Sequence, residues 1–224
     1  MAKDLIIFDM DGVLVEVTES YRAAIQATVK HFTGYEPPNT EIQDWKNRGG
    51  FNDDWILSLK MVKARGVSVA YVEIVEHFQS IFLGNNNDGL ILKEQWMAAD
   101  GLFEMLHAKY QLAVFTGRLH DEAMLTIDRF YPGLFPTVIG SDEVSKTKPD
   151  PEGIFTIRKL LEHDRAWYIG DTVDDARAAA AAGVPFIGIA SPSNPKHKEN
   201  AALLEAEGAI AVLDDINALE AVLV

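Results

Sequence analysis

The sequence predicts an open α/β fold, a parallel sheet with helices on both faces, carrying a helical insertion after its first strand. The first observation is a segment type that recurs along the chain, continuously apolar and stopped abruptly by polar residues, as in a strand buried on both faces. The second is helical periodicity between these segments, which gives the strand–helix alternation of a parallel sheet. The third is a long interval in which that alternation fails and only helical patterns remain.

Leu5–Phe8 is the first strand and runs into Asp9-Met10-Asp11-Gly12. Residues 15–87 then form the insertion, with apolar residues at three- and four-residue spacing over 19–32, 53–64 and 69–83. Its exit, Gly84-Asn85-Asn86-Asn87-Asp88-Gly89, is rich in turn formers and suits a hinge. The core therefore comprises residues 1–14 and 88–224. Strand-like runs follow at 112–115, ending in Thr116-Gly117-Arg118, at 137–140, ending in Ser141-Asp142, at 166–169, ending in Gly170-Asp171, and at 185–189. Helical patterns occupy 121–130, 151–162 and Val173–Ala182. Pro151 suits a first helical turn and Gly183 a stop just past the alanine-rich helix. A short strand at 209–213 and a helix over 216–223 complete the chain, and 191–200 reads as an extended loop.

Composition narrows the class of function. A chain of 224 residues buries one substantial core with room for a smaller unit. With 34 acidic against 20 basic residues its formal charge is −14, a field that opposes a phosphate backbone, so no nucleic-acid partner is expected. The absence of cysteine excludes disulfides, thiolate metal sites and cysteine nucleophiles. No apolar run approaches the roughly 20 residues of a membrane helix, and the start of the chain lacks the form of a signal peptide, so the expectation is a cytoplasmic protein with no membrane partner. Monomer and homodimer both remain open, because amphipathic helices can cover a core or meet another subunit.

In a doubly wound sheet, ligands gather at the carboxyl ends of the strands. Asp9, Asp11, Thr116, Lys148 and Asp171 all reach that edge if the strands are as read. Crowded carboxylates repel one another and need a cation, and an all-oxygen ligand set suits Mg²⁺. Lys148 adds a second positive charge, and the Thr116 hydroxyl with backbone donors near Gly12 and Gly117 completes a receptor for a phosphate dianion. Singly, each residue has a plainer reading: a helix cap, a turn hydroxyl or a surface lysine. Their joint order at successive strand ends separates a site from those alternatives.

That ordered set resembles the haloacid dehalogenase-like hydrolase superfamily, in the branch with a helical cap inserted after the first catalytic loop, as in phosphoglycolate phosphatases and β-phosphoglucomutases. Asp9-Met10-Asp11-Gly12-Val13-Leu14 is similar to its first motif, Thr116 to the hydroxyl of the second and Lys148-Pro149-Asp150-Pro151 to the third. Gly170-Asp171-Thr172-Val173-Asp174-Asp175 is similar to the fourth. The resemblance implies a Rossmann-like core and a small phosphorylated metabolite as substrate. It implies Asp9 as nucleophile and Mg²⁺ ligand, and Asp11 as proton carrier whose backbone carbonyl also binds the ion. Asp171 is implied as a further ligand and Asp175 as a supporting acid. The reaction implied is hydrolysis of a phosphomonoester through an aspartyl-phosphate. A sugar-phosphate mutase with the same chemistry and a non-catalytic phosphate-binding protein are the alternatives.

The chain departs from the phosphatase pattern at Thr116-Gly117-Arg118, where many relatives place asparagine after the hydroxyl residue. Arg118 is a long cation able to reach a phosphate or an acidic leaving group, or else a solvated residue at the start of the next helix. In the insertion, Arg48-Gly49-Gly50-Phe51-Asn52-Asp53-Asp54-Trp55 is the segment expected to face a substrate, with Arg48 and Asn52 as its polar contacts. Its plainer reading is a loop in which Asn52 or Asp53 caps the next helix.

Overall fold

The computed structural model describes residues 3–223 and divides into two compact units, Met1–Val15 with Trp96–Val224, and Glu16–Gln95. The first unit is built on a six-stranded, wholly parallel sheet. Its strands are β1 (Leu5–Phe8), β2 (Gln111–Phe115), β3 (Thr137–Ile139), β4 (Ala166–Gly170), β5 (Phe186–Ile189) and β6 (Ala211–Leu213). They lie in the order β3-β2-β1-β4-β5-β6, so the first strand in sequence is central. Its register pairs Phe8 with Val114 on one side and Ile169 on the other. All four residues of β1 are fully buried, which is why its sequence is apolar throughout rather than alternating. The topology places the residues that follow β1, β2 and β4 at one edge of the sheet.

The helices of the second unit are α1 (Ala23–Thr33), α2 (Asn39–Lys46), α3 (Asp54–Ala64) and α4 (Tyr71–Phe82). They pack around their own core, which includes Ile25, Leu57, Met61, Ile74, Phe78 and Phe82. Two differences from the sequence reading occur here, at the start of the first helix and in α2. The first helix does not begin as an α-helix: Thr18–Arg22 is a π-turn, in which the Arg22 amide donates to the carbonyl of Val17 at 3.1 Å. The eight-residue α2, which the periodicity did not signal, buries only Ile42 and Gln43. The turn at 84–89 is pinned by Asp88, whose Oδ1 accepts from the amides of Asn85 and Asn86 at 3.1 and 3.4 Å.

In the first unit, α5 (Leu102–Lys109), α6 (His120–Phe130), α7 (Glu152–Leu160), α8 (Val173–Ala182) and α9 (His197–Ala206) connect the strands. Pro151 caps α7 from outside instead of occupying its first turn. The stretch read as a loop over 191–200 turns helical at His197, and the last helix is a 3₁₀ segment, Ile216–Ala221. The alanines of α8 that face inward, Ala176, Ala178, Ala179 and Ala182, are buried against the sheet. Gly183 ends that helix with φ of +66°, a conformation that glycine adopts without the Cβ clash other residues suffer. Among the described residues, no helix is long and apolar enough to cross a membrane.

Candidate active site

Asp9 leaves the end of β1 while its amide still donates to the carbonyl of Ile169 at 2.7 Å, so the side chain is aimed by the sheet itself. Beyond it the chain folds tightly: the amides of Leu14 and Val15 both donate to the carbonyl of Met10, at 2.8 and 3.0 Å, and the Gly12 amide donates to that of Val15 at 2.9 Å. Gly12 has φ of +73°, and a Cβ there would overlap the Asp171 carboxylate. Only glycine permits the two loops to approach so closely. Asp171 follows β4, and its carbonyl accepts from Asn200 Nδ2 at 3.1 Å.

Lys148 ties these segments together. Its Nζ donates to Asp9 Oδ1 and to Asp175 Oδ1, both at 2.7 Å, and lies 5.5 Å from the centre of the Phe115 ring and 5.9 Å from that of Tyr168. Burial opposes the lysine's charge, but Asp175 and Asp9 outweigh it and hold the ammonium pKa well above its ordinary 10.5. Burial pushes the Asp9 carboxyl up to about 7; Lys148 opposes that rise, and the nearby charges of Asp175 and Asp11 add to it.

Asp175 is saturated. Its Oδ1 receives Lys148 and faces the Tyr168 hydroxyl at 3.0 Å, and its Oδ2 accepts from the Thr172 amide at 3.0 Å and the Thr172 hydroxyl at 2.6 Å. A carboxylate offers about four lone-pair positions, so these four donors fully engage it. Thr172 in turn accepts from the Asp175 amide at 3.2 Å and caps α8. Thus α8 and the loop before it grip one another at the point that delivers Asp171.

One carboxylate oxygen from each of Asp9, Asp171 and Asp175 lies within 4.8 Å of the others. The donors are all hard oxygens, and the glycine cradle at Gly12 brings Asp171 close to the Asp9 loop. This set fits a small divalent cation such as Mg²⁺. Because Asp175 is committed to four protein donors, Asp9 and Asp171 are the side chains suited to hold it.

Asp11 stands apart from this cluster. Its Oδ1 accepts from Arg118 Nε at 2.8 Å and Nη2 at 2.5 Å, and Arg118 Nη1 donates to the Thr126 hydroxyl on α6 at 3.2 Å. Arg118 is therefore buried, not the solvated residue that was one reading of the sequence. Its amide donates to Thr116 Oγ1 at 3.2 Å, and Thr116 is itself buried at the end of β2. Gly117 between them is partly exposed.

Arg48 and Asn52 lie in the second unit. Arg48 is exposed, with its guanidinium 4.7 Å from the centre of the Trp45 ring, and Asn52 Nδ2 is buried without a hydrogen-bond partner. Asp53 caps α3, accepting from the amides of Trp55 and Ile56 at 2.8 and 3.0 Å. Burial raises its pKa, with those two bonds opposing the rise. The residues that sequence reasoning missed are Tyr168, Thr126, Thr172 and Asn200. Tyr168 sits inside an apolar strand run, and Thr126 and Asn200 lie on helices with no chemical motif around them. Thr172 alone carried a signal, as the residue capping α8 three positions before Asp175.

A family model of haloacid dehalogenase-like hydrolases matches residues 3–183, which takes in Asp9, Asp11, Thr116, Lys148, Asp171 and Asp175. The chain belongs to the haloacid dehalogenase-like hydrolases. Among curated relatives of this hydrolase, an imidazoleglycerol-phosphate dehydratase of Phytophthora nicotianae is 34% identical over 84% of the chain. The match spans only 43% of that longer protein. Pyrophosphatase PpaX of Listeria innocua is 28% identical over 86% of each chain. A phosphonoacetaldehyde hydrolase-like protein from Oleispira antarctica has the same fold, with a TM-score of 0.77 and 15% identity over 99% of this chain and 91% of its own.

Proposed function

We propose that this hydrolase cleaves small phosphomonoesters with Mg²⁺, by way of an aspartyl-phosphate on Asp9. The observation that carries the reading is the pairing of Asp9 with buried Lys148 beside Asp171, with a second carboxylate, Asp11, two residues further along the same loop. A phosphate-binding role alone needs no second carboxylate at the site beyond one that pairs with Arg118, whereas double displacement needs a nucleophile and a separate proton carrier. In the first step an Asp9 oxygen attacks phosphorus, the ester P–O bond breaks, and the leaving alkoxide takes a proton from the Asp11 carboxyl. In the second, water attacks phosphorus, the acyl-phosphate bond breaks to restore the Asp9 carboxylate, and the proton lost by water returns to Asp11. Lys148 keeps one Asp9 oxygen fixed and offsets negative charge, and Asp175 keeps Lys148 in place. The Thr116 hydroxyl and backbone donors near Gly12 and Gly117 bind phosphoryl oxygens. Asp9, Asp171 and the Asp11 carbonyl would hold Mg²⁺, which when bound supplies positive charge to the phosphoryl oxygens.

Phosphate-monoester hydrolysis needs acceleration of up to about 10²¹-fold, so electrostatic preorganisation of this kind carries much of the rate. The test is a panel of organic phosphates and pyrophosphate with and without Mg²⁺, with identification of each product and mass spectrometry of the trapped enzyme. Phosphate release with phosphorylation at Asp9, both absent in Asp9→Asn, is expected. Normal turnover by Asp9→Asn would sink the reading, and an isomerised sugar phosphate in place of free phosphate would turn it into the mutase.

A further inference from the structure

We infer that Arg118 is a positioning residue that acts through Asp11: it fixes which Asp11 oxygen carries the proton and where that proton points. The inference rests on the reading of Asp11 as proton carrier. Two guanidinium nitrogens, Nε and Nη2, converge on the same oxygen, Oδ1. An oxygen accepting two N–H bonds has no lone pair well placed for a proton of its own, so the transferable proton resides on Oδ2. The Arg118 side chain is completely buried, while that of Asp11 remains 26% exposed. The anchor is thus inside the protein, and the group that handles the proton is at its surface. Arg118 is held on its far side by the Thr126 hydroxyl, which is fully buried on α6, and at its backbone by Thr116. An arginine spread over Asp11, Thr126 and the Thr116 loop serves as a fixed strut between the two strand-end loops. Lysine, with a single nitrogen at the end of a flexible stem, cannot hold both Asp11 and Thr126 in this way, although its backbone would keep the bond to Thr116.

A proton carrier matters in proportion to how badly the leaving group needs its proton. Removing a correctly placed general acid costs about 10²–10⁴-fold with a basic leaving group, and misplacing one by about 1 Å costs about 10²-fold. The experiment compares an alkyl phosphate with 2,4-dinitrophenyl phosphate, whose leaving group departs without protonation, in wild type, Asp11→Asn, Arg118→Met, Arg118→Lys and Thr126→Val. The expected result for Arg118→Met is a loss of about 10²-fold in the rate of phosphoenzyme formation on the alkyl ester, read in a single turnover so that the later attack of water does not enter, a loss within about threefold on the dinitrophenyl ester, and little further loss when combined with Asp11→Asn. Arg118→Lys should behave in the same way, and Thr126→Val should show a smaller loss with the same selectivity. Because Thr126→Val leaves the Arg118–Asp11 pair in place, it keeps the test open if Arg118→Met does not fold. Equal losses on both esters would overturn the inference, as would a raised KM with unchanged kcat, which would make Arg118 a substrate-binding residue. If wild type formed no phosphoenzyme on any ester, the proposed function would fail first, before Arg118 came into question.

Discussion

Replacing Asp175 by asparagine changes almost no volume but should unsettle the whole catalytic edge. Asparagine accepts with one of its two terminal atoms, so two of the four positions now facing donors would present N–H groups instead. If the amide oxygen kept Lys148 and Tyr168, the Thr172 amide and hydroxyl would meet an N–H. The opposite rotamer would leave Lys148 facing one. Either way the buried ammonium loses one of its two carboxylate partners, and breaking a buried ion pair from one side costs about 3–5 kcal/mol. Part of this is recoverable, because the Tyr168 hydroxyl has a second acceptor in the Phe115 carbonyl at 3.2 Å and the Thr172 hydroxyl can rotate. The expected loss is therefore near the lower end, about 3 kcal/mol, a large share of the roughly 5–15 kcal/mol that stabilises a typical domain. Hydrogen exchange at the amides of Tyr168 and Ile169 reads the opening free energy of the central strands directly. Asp175→Asn combined with Lys148→Met should be less destabilised than the sum of the two changes, because the unpaired charge is gone. A loss under about 1 kcal/mol, or strict additivity in the double variant, would refute the view that Asp175 stabilises the buried lysine.

Gly12→Ala should lower Mg²⁺ affinity by about 10–100-fold in a calorimetric titration, because its Cβ displaces the Asp171 carboxylate; unchanged affinity would remove Asp171 from the ion site. In Gly153→Ala the new Cβ would overlap the Phe115 ring, so a stability loss of about 1–3 kcal/mol is expected in a denaturant titration, and a neutral result would mean that the ring can move aside. His77 stacks on His31 with ring centres 3.9 Å apart, and burial, then the neighbouring imidazole, lower its pKa below the ordinary 6.5. The unfolded chain then binds more protons than the folded one, so stability is fully present above 6.5 and is lost as the pH falls through that value toward the lowered one. His77→Gln should flatten the fall in melting temperature between about pH 7 and pH 5, and an identical slope in both proteins would show that this pair does not contribute.

The sheet was legible because β1 and β4 are buried on both faces and their sequences carry no polar residue that blurs their edges. Val173–Ala182 was legible because Thr172 and Gly183 mark its two ends. Of the missed helices, α2, α5 and α9, the first and last had weak signals for a physical reason. The helix α2 buries two residues and α9 buries only Asn200 and Leu204, so neither needs a continuous apolar stripe. At the site, the placement of Asp9 and Asp171 followed from their positions next to strand ends, whereas Asp175, in the first turn of α8, was legible only through the resemblance of its motif. The burial of Arg118 was not legible, since a charged residue at the start of a helix reads as solvated unless its partners are known. Those partners, Asp11 and Thr126, lie 107 residues before it and eight after it.

The central place of β1 affects how the chain is made. Leu5 pairs with Gln111 and Ala166, so this strand leaves the ribosome with neither neighbour until more than a hundred further residues have been synthesised. At about 5–20 residues per second, that is a wait of roughly 5–20 s for the first partner. During this time Leu-Ile-Ile-Phe is an unpaired apolar edge, the kind of segment that sticks to other chains. The residues made in the interval include α1 to α4, whose contacts are mutual and short in range, so they have a core to form while β1 is still alone. A chain stalled before residue 111 would carry a folded helical unit beside a bare strand, and chaperone capture in the cell should concentrate on Leu5–Phe8.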